Sequence, residues 1–447
     1  MPTKELTRGK PLNLILAFML PIFLGNMIQQ LYYFVDSLVV GRVLGIKALA
    51  AVGATGPFIF LIISFIFAST QGFAVVTAQV FGAQNYGMVK KSLAASLILS
   101  GGMTLILTVL CTPFSGKMLE LLQTPVDILP QATTYLYIMF GGIFATVFYN
   151  VSSNIIRALG DSKTPLYFLI FASLINIVLD ILFIVKFKMG VEGAGYATVL
   201  SQGISTVLCM SFMFWRFPIL RLKKEDWSVS KEFLLEHLRV GIPMGFQMSV
   251  LTIGILALQF VLNSFGSLAV AAYTTAMRVD QLFTQSYLAL GATMAVFTAQ
   301  NYGAKKMSRI RDGAKTSVLI AVAISIFSII VISLFSRAMI VIFMSEIDEE
   351  VVRLAQIYLR IIMIFFVFLG LLIIYRNILQ GMGQVTAPLI SGVAELVARV
   401  VCAFVLGHYF GYIGLCTATP TAWVAAAVVL YVGYKISLIK HVKKSLK

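Results

Sequence analysis

Charged residues are scarce in this chain of 447 residues, making up 12% of it, whereas 59% of the residues are apolar. An average soluble domain carries roughly 25% charged residues. The mean hydropathy of +0.94 excludes an ordinary soluble domain, because such a sequence could not cover its surface with polar groups. One membrane span needs about 20 apolar residues, so the length allows about a dozen spans.

Motifs that carry enzyme chemistry are also lacking. The sequence has no GxxxxGK[ST], no HExxH and no GxSxG, which argues against a P-loop ATPase, a zinc protease and a serine hydrolase. No DxxxD or DDxxD lies at a span end, which argues against an intramembrane enzyme acting on prenyl lipids. We therefore expect no enzyme, no organic cofactor and no structural metal. The four cysteines form no CxxC and are predicted to be buried apolar residues: Cys111, Cys209, Cys402 and Cys416.

The apolar runs predict an all-α polytopic membrane protein with twelve transmembrane helices in two pseudo-symmetric six-helix bundles. The first lobe is 1–216, the second is 232–447, and the polar segment 217–231 is the predicted cytoplasmic linker. The predicted spans are 12–40, 48–80, 88–112, 130–156, 164–187, 192–216, 232–264, 268–300, 308–337, 350–379, 385–409 and 412–437.

The distribution of lysine and arginine predicts the orientation. With the N-terminus placed in the cytoplasm, most basic residues fall in cytoplasmic segments and their flanks, with Arg376 counted among the flanks. The positive-inside rule then predicts a cell-membrane protein with both termini in the cytoplasm. This bias also explains the net charge of +16 without a nucleic-acid partner.

The two halves resemble each other. TAQVFGAQNYG begins at Thr77 and TAQNYGA begins at Thr298, and Pro21 and Pro243 both occur early in the first span of their half. Six spans per half place both repeats in the same orientation, with the pseudo-twofold axis along the membrane normal. Two such bundles with a central cleft predict alternating access.

Four polar residues fall in one layer of the first half. Asp36 and Asp180 each precede an external basic residue by six positions, roughly 9 Å along a helix. Asn176 lies one turn from Asp180, and Thr198 enters the next span at similar depth. This oxygen-rich group suits Na⁺, and it equally suits a buried carboxyl that carries a proton. The structural alternative is that each aspartate pairs with a nearby basic residue or a backbone group, the basic candidates being Arg42 and Lys47.

Other charges within the predicted spans are candidates for substrate binding or gating. Glu395 and Arg399 stand four residues apart, in the favourable order for a helical ion pair. Arg278 and Asp280 are two apart and need separate partners. The second half has no equivalent of the first-half cluster, because Arg399 stands at the place of Asn176 and Ala403 at that of Asp180.

Several motifs together resemble the MATE (multidrug and toxic compound extrusion) transporters along the whole chain. The resemblance rests on VDSLVVGRVLG at 35–45, TAQVFGAQNYG at 77–87, RALGDSKTP at 157–165, NIVLD at 176–180, GAGYAT at 193–198, and RVDQ at 278–281 followed by TAQNYGA at 298–304. Their order and twofold recurrence are more specific than any one motif.

The resemblance implies two six-helix lobes and the exchange of a substrate for H⁺ or Na⁺. Similarity to the DinF-type branch implies that Asp36, Asn176, Asp180 and Thr198 form the cation-coupling site, which would be a metal site only if the ion is Na⁺. The NorM-type branch uses acids in its seventh and tenth helices. Here the seventh span offers Gln247, a possible substrate or gating residue, and the tenth has acids only at its outer start, 348–350.

The expected function is secondary antiport, in which a monomer exports organic cations or other amphipathic drugs in exchange for H⁺ or Na⁺. The expected partners are that small-molecule substrate, the coupling ion and the lipid bilayer. The alternative is a lipid-linked saccharide flippase of the same superfamily. Such a flippase usually has a more cationic cavity, because its cargo carries a pyrophosphate.

Overall fold

The protein is described by a computed structural model over residues 5–344 and 347–445, and this part of the chain contains helices and no strand. Fifteen α-helices follow in chain order: α1 Pro11–Leu44, α2 Ile46–Gly82, α3 Tyr86–Cys111, α4 Ser115–Leu121, α5 Leu129–Gly141, α6 Ile143–Ala158, α7 Lys163–Asp180, α8 Val191–Arg216, α9 Lys231–Asn263, α10 Ser267–Gly303, α11 Met307–Val341, α12 Glu349–Ile364, α13 Phe366–Gly381, α14 Thr386–Cys416 and α15 Ala418–Ser445. A π-helical turn, Ile181–Lys186, follows α7.

Twelve spans result when two bent helix pairs are each counted as one span. Ten helical segments in the described chain are long and apolar enough to cross a membrane alone. The pairs α5–α6 and α12–α13 bend by 44° and 51°, at Gly142 and Phe365. A Cβ at Gly142 would lie 2.4 Å from the Val199 side chain, so only glycine fits this bend. The twelve-helix prediction is confirmed, although the two bends were not expected.

The backbone repeats itself between the two halves. Residues with left-handed φ angles recur in matching pairs, including the non-glycine residues Gln84 and Lys305 at 58° and 57°. The same register pairs Gly45 with Gly266 and Gly190 with Gly411, and a register shifted by two residues pairs Gly160 with Gly383. The duplication seen in the sequence is therefore also a duplication of turn geometry. Gly411 has a φ of 59°, so the helical geometry of α14 is interrupted there. This interruption falls between the predicted spans 385–409 and 412–437.

The chain forms two compact units that each take a short segment from the other half. The first unit contains Leu24–Gly245, and the second contains Thr7–Phe23 and Phe246–Lys447. The helices α1 and α9 therefore each belong to both units, and each changes unit two residues after a proline, Pro21 and Pro243. The predicted lobe boundaries remain a prediction. The predicted linker 217–231 lies inside the first unit, where its short 3₁₀ turns contact α3.

Buried hydrogen bonds connect three helices of the first unit. The hydroxyl of Thr77 on α2 lies 2.7 Å from that of Ser92 on α3, and Ser92 lies 2.8 Å from Nε2 of His237 on α9. The other ring nitrogen, Nδ1, lies 2.8 Å from the carbonyl oxygen of Phe233. Because Nδ1 must donate to that carbonyl, Nε2 of the neutral ring accepts from Ser92. His237 is fully buried and is therefore a structural residue at this position.

Glycines allow α2 and α9 to approach closely in the same unit. A Cβ added to Gly72 would lie 2.5 Å from the Cα of Gly241, which is closer than any side chain tolerates. The backbones therefore meet with no side chain between them. The four cysteines are free thiols, and three are buried while Cys402 is partly buried, in agreement with the prediction.

Candidate cation-coupling site

Three helical segments of the first unit bring the predicted polar layer together. Asp36 lies on α1, Asn176 and Asp180 lie on the last turn of α7, and Thr198 lies on α8. Asp180, Asn176 and Thr198 are buried, whereas Asp36 is partly buried. The four residues that the sequence grouped by depth are therefore also grouped in space within one unit.

Asp180 stands where the α-helix changes into a π-helix. The turn Ile181–Lys186 follows it directly, and the N–H of Phe187 bonds to the carbonyl of Leu182, five residues back, at 3.0 Å. The π-helix is rare, and its single turns are frequently found at functional sites. The sequence carries no signal for this turn, because no proline or glycine lies within it.

The Asn176 amide connects Asp180 to α8. In the orientation that satisfies both of its polar atoms, its nitrogen donates to Asp180 Oδ2 at 2.8 Å and its oxygen accepts from the backbone N–H of Thr198 at 3.3 Å. The Thr198 hydroxyl lies 3.4 Å from the hydroxyl of Tyr32 on α1. Asn176 and Thr198 therefore hold α1, α7 and α8 around the carboxyl groups.

The carboxyl groups of Asp36 and Asp180 are neighbours that interact electrostatically. Carboxylates are acceptors only, so a hydrogen bond between the two groups would require a proton on one of them. Within the described part of the chain, Oδ1 of each aspartate is buried without a hydrogen-bond partner. Two carboxylates this close cannot both stay ionised unless a cation lies with them. The arrangement can therefore take up one proton or one small cation.

An apolar cluster lies one helical turn beyond both acids. Val40 follows Asp36 by four residues and Ile184 follows Asp180 by four, and both pack in a buried group with Tyr135. Tyr135 on α5 lies within electrostatic reach of both carboxyls. Sequence reasoning missed Tyr32 and Tyr135 as neighbours of the site. The recurrence of Tyr135 as Tyr358 in the second half was the available signal.

The structural alternative for the aspartates finds no support. Lys47 pairs instead with Asp127, at 3.5 Å and on an exposed surface. Over residues 5–344 and 347–445, no ion pair reaches Asp36 or Asp180. The same residues contain no group of three His, Cys, Asp or Glu that could hold a metal ion.

The second unit does not contain the acids of a NorM-type site at the places that the resemblance names. Gln247 uses its amide within the unit, donating to the Pro388 carbonyl at 2.6 Å and accepting from Gln380 at 2.8 Å. At the start of α12, Asp348 caps the helix by accepting from the backbone N–H of Glu350 at 2.9 Å. A substrate role for Gln247 stays a prediction.

Asp280 is a buried acid of the second unit. Its Oδ1 has no hydrogen-bond partner among the described atoms, and Thr284 and Tyr358 are its polar neighbours. Arg278, two residues earlier, is exposed. The two side chains therefore have different surroundings, as their spacing predicts, and their roles in binding or gating remain predictions.

Arg376 has a buried partner that the sequence analysis did not predict. It lies on α13, where it is 9% exposed. Its Nη2 contacts Glu395 Oε2 at 2.8 Å, and Arg399 Nη2 contacts Glu395 Oε1 at 2.8 Å. The expected pair of Glu395 with Arg399 is present, and Arg376 turns it into a triad. Sequence spacing misses this contact because it joins two different helices.

Comparison with known proteins agrees with this fold. The family model MatE matches the chain twice, over residues 21–182 and 243–405. A probable multidrug resistance protein of Bacillus subtilis (strain 168), YpnP, is 31% identical over 427 residues, which cover 95% of this chain and 91% of that protein. A solved outward-facing structure of a multidrug resistance MATE family transporter of the MOP superfamily is 26% identical, has a TM-score of 0.92 and covers 98% of both chains.

A crystal structure of MATE in the bent conformation is also similar, with 26% identity, a TM-score of 0.92 and coverage of 99% of this chain and 98% of that one. These matches confirm the expected transporter class, so the chain is not an enzyme. They do not separate the DinF-type branch from the others, and that assignment stays a prediction. The two matches of the family model begin at the paired prolines, Pro21 and Pro243. The chain belongs to the MatE family of membrane transporters for multidrug efflux.

Proposed function

We propose that this protein is a secondary antiporter that exports amphipathic organic cations in exchange for an inward-moving cation. The proposed setting is the plasma membrane, with a monomer whose two termini lie in the cytoplasm. The observation that carries the proposal is the contact between the Asp36 and Asp180 carboxyls, each with one unpartnered buried oxygen. A one-for-one exchange of a monovalent drug cation for H⁺ or Na⁺ moves no net charge and is driven by the concentration gradient of the coupling ion; each net charge moved inward beyond that gains about 2.3 kcal/mol per 100 mV.

We propose H⁺ rather than Na⁺ as the coupling ion because of the hydrogen bonds assigned to Asn176. In the assigned orientation the amide points its N–H at Asp180, and its oxygen accepts from the N–H of Thr198. A Na⁺ site would need that amide oxygen to face the cation, so the amide would have to turn over. A proton on one of the two carboxyls needs no such change.

The helix that carries Asp36 offers a route from ion binding to conformational change. The part of α1 that ends at Phe23 belongs to the second unit, while the rest of α1 belongs to the first. Binding or release of a proton at Asp36 therefore acts on a helix that is continuous with both units. Pro21 lies just before the change of unit and removes one helical hydrogen bond there. If α1 has two conformations, and the proton stabilises one while the drug stabilises the other, the two ligands occupy the protein alternately.

The test is drug efflux in proteoliposomes driven by an imposed ΔpH or, separately, by an imposed sodium gradient. We expect the wild-type protein to respond to ΔpH. Asp36→Asn and Asp180→Asn should each insert normally and lose gradient-driven efflux, because an amide cannot take up the coupling proton. Asp127→Asn is the matched control, since Asp127 is an exposed aspartate paired with Lys47.

Wild-type efflux rates in both site variants would refute the assignment of the site. Efflux that responds only to the sodium gradient would support the same site but with Na⁺ instead of H⁺ as the coupling ion. In that case Asn176→Asp should tighten Na⁺ dependence, because a carboxylate presents oxygens in either orientation.

The lipid-linked saccharide flippase remains the second candidate. One observation favours it, since Arg376 adds a buried cation to the second unit. Loss of a cell-wall or capsule polymer in cells lacking the protein, with unchanged drug sensitivity, would decide for the flippase.

A further inference from the structure

Asp280 is a buried acid without a counter-charge. Its side chain lies on α10 and is 8% exposed, and its Oδ1 accepts no hydrogen bond from any described atom. None of the ion pairs found within residues 5–344 and 347–445 includes it. An ionised carboxylate is costly in such surroundings, whereas a protonated one is not. An ionisable residue of this kind within a membrane span usually marks a functional site.

The titratable groups around Asp280 are tyrosines. Tyr358 on α12 and Tyr287 on α10 lie within electrostatic reach of its carboxyl. Tyr273 packs against Tyr358, with ring centroids 4.7 Å apart. Neutral tyrosines offer hydrogen bonds but no positive charge. They can therefore hold a protonated carboxyl, but they do not neutralise an ionised one.

The helices α11 and α13 meet α10 near Asp280 through a hydroxyl and an aromatic ring. Further along α10, Phe283 and Tyr287 pack against Phe366 on α13, with ring centroids 6.2 and 5.9 Å apart. The Ser325 hydroxyl on α11 lies 2.8 Å from the hydroxyl of Tyr287. These contacts surround the acid with uncharged groups.

The buried arginines of the second unit are paired with another acid. Arg376 on α13 and Arg399 on α14 both contact Glu395 at 2.8 Å. Arg399 also lies within electrostatic reach of Tyr273, which is a neighbour of Tyr358 and not of the acid itself. The carboxylate charge of Glu395 is thus compensated, whereas that of Asp280 would not be.

The internal repeat shows that packing does not require an acid at this position. Ile59 corresponds to Asp280 in the register of the paired left-handed turns, and Tyr135 corresponds to Tyr358 in the register shifted by two residues. In the first unit, Ile59 packs against the buried cluster that contains Tyr135. In the second unit, Asp280 lies beside Tyr358. The equivalent position beside the tyrosine therefore holds an apolar residue in one unit and an acid in the other.

We infer that Asp280 binds a second coupling proton, in addition to the proton taken up by Asp36 and Asp180. This inference rests on the proposed export function and adds a stoichiometry to it. In each cycle two protons enter and one monovalent cation leaves, so one net positive charge moves inward. The structural alternative is an acid that stays protonated throughout the cycle and only forms hydrogen bonds.

The test measures whether transport depends on the membrane potential. Proteoliposomes carry a fixed ΔpH, a potential set by a potassium gradient with valinomycin, and ethidium, a permanent monovalent cation, as cargo. In the wild-type protein, 100 mV should change the steady-state ethidium gradient about 40-fold, because one net charge gains about 2.3 kcal/mol and every 1.4 kcal/mol is a factor of ten. Empty liposomes correct for the leak of ethidium.

Asp280→Asn should keep ΔpH-driven ethidium transport and lose its dependence on the membrane potential, because one-for-one exchange moves no net charge. Asp280→Ile introduces the side chain that the first unit has at the equivalent position, and it should have the same effect. Asp280→Glu keeps a protonatable group and should keep the dependence. Asp127→Asn, at an exposed aspartate, is the matched control.

A wild-type ethidium gradient that responds to ΔpH but not to the membrane potential would overturn the inference, and this measurement needs no variant. Dependence on the potential that persists in Asp280→Asn or Asp280→Ile would also overturn it, because the second proton would then bind elsewhere. Failure of the export proposal is distinguishable. In that case wild-type proteoliposomes would hold no larger ethidium gradient than empty liposomes, under either a ΔpH or a sodium gradient.

Discussion

Removing the carboxylate of Glu395 should destabilise the second unit more than any surface charge change. Glu395→Gln keeps the side-chain volume but leaves two buried guanidinium groups without their anion, and each now contacts it at 2.8 Å. Breaking a buried ion pair by removing one partner typically costs about 3–5 kcal/mol, because the remaining charge stays buried. An exposed pair typically contributes about 0–1 kcal/mol.

The matched control is Glu350→Gln, which breaks the exposed contact to Arg353 at 2.6 Å. The assay is thermal unfolding of the purified proteins in one detergent, followed by loss of the monodisperse peak in size-exclusion chromatography. We expect a melting temperature for Glu395→Gln several degrees below that of the control. Equal melting temperatures for the two variants would show that the triad is not held as a buried charge network.

Two further predictions concern helix contacts in the first unit. His237→Phe should lower the free energy of unfolding by about 1–3 kcal/mol, because the Ser92 hydroxyl loses its buried acceptor. His237→Gln should recover part of this loss. Equal melting temperatures for the two variants would contradict the hydrogen-bonded role of His237. Gly72→Val should prevent folded protein from accumulating in the membrane, since its Cβ would overlap the Gly241 backbone. Gly53→Val is the control, because no atom lies within 4 Å of a Cβ there, and comparable yields of the two variants would refute the close approach.

The sequence predicted the helices well because membrane spans are specified by long apolar runs and by the polar residues between them. The spans at 268–300 and 308–337, for example, lie within α10 and α11. The bends at Gly142 and Phe365 were missed. Both residues lie within apolar runs, and the bend at Gly142 depends on a side chain from another helix, Val199.

The coupling site was predictable to the level of its four polar residues, because depth can be counted along a helix. Two of its features could not be read in this way. The π-helical turn after Asp180 depends on a backbone hydrogen-bond pattern that no residue type in the segment predicts. The contact between Asp36 and Asp180 depends on the packing of α1 beside α7, which spacing within one helix does not give.

The burial of Arg376 was missed for a related reason. The positive-inside rule treats a basic residue near a predicted span end as solvent-exposed. A bend at Phe365 and a partner on α14 place this one among buried residues instead. Charge counting along the chain therefore works for exposed termini and loops and fails where a second helix supplies the counter-charge.

The exchange of segments between the units has a consequence for synthesis on the ribosome. Residues 231–245 belong to the first unit, yet they are synthesised only after the first six spans. The segment Thr7–Phe23 is synthesised early, but it packs in the second unit, which is made last. Neither half could mature as an independent gene product. If the chain were cut at 217–231, the two fragments should be degraded when made separately and rescued when made together.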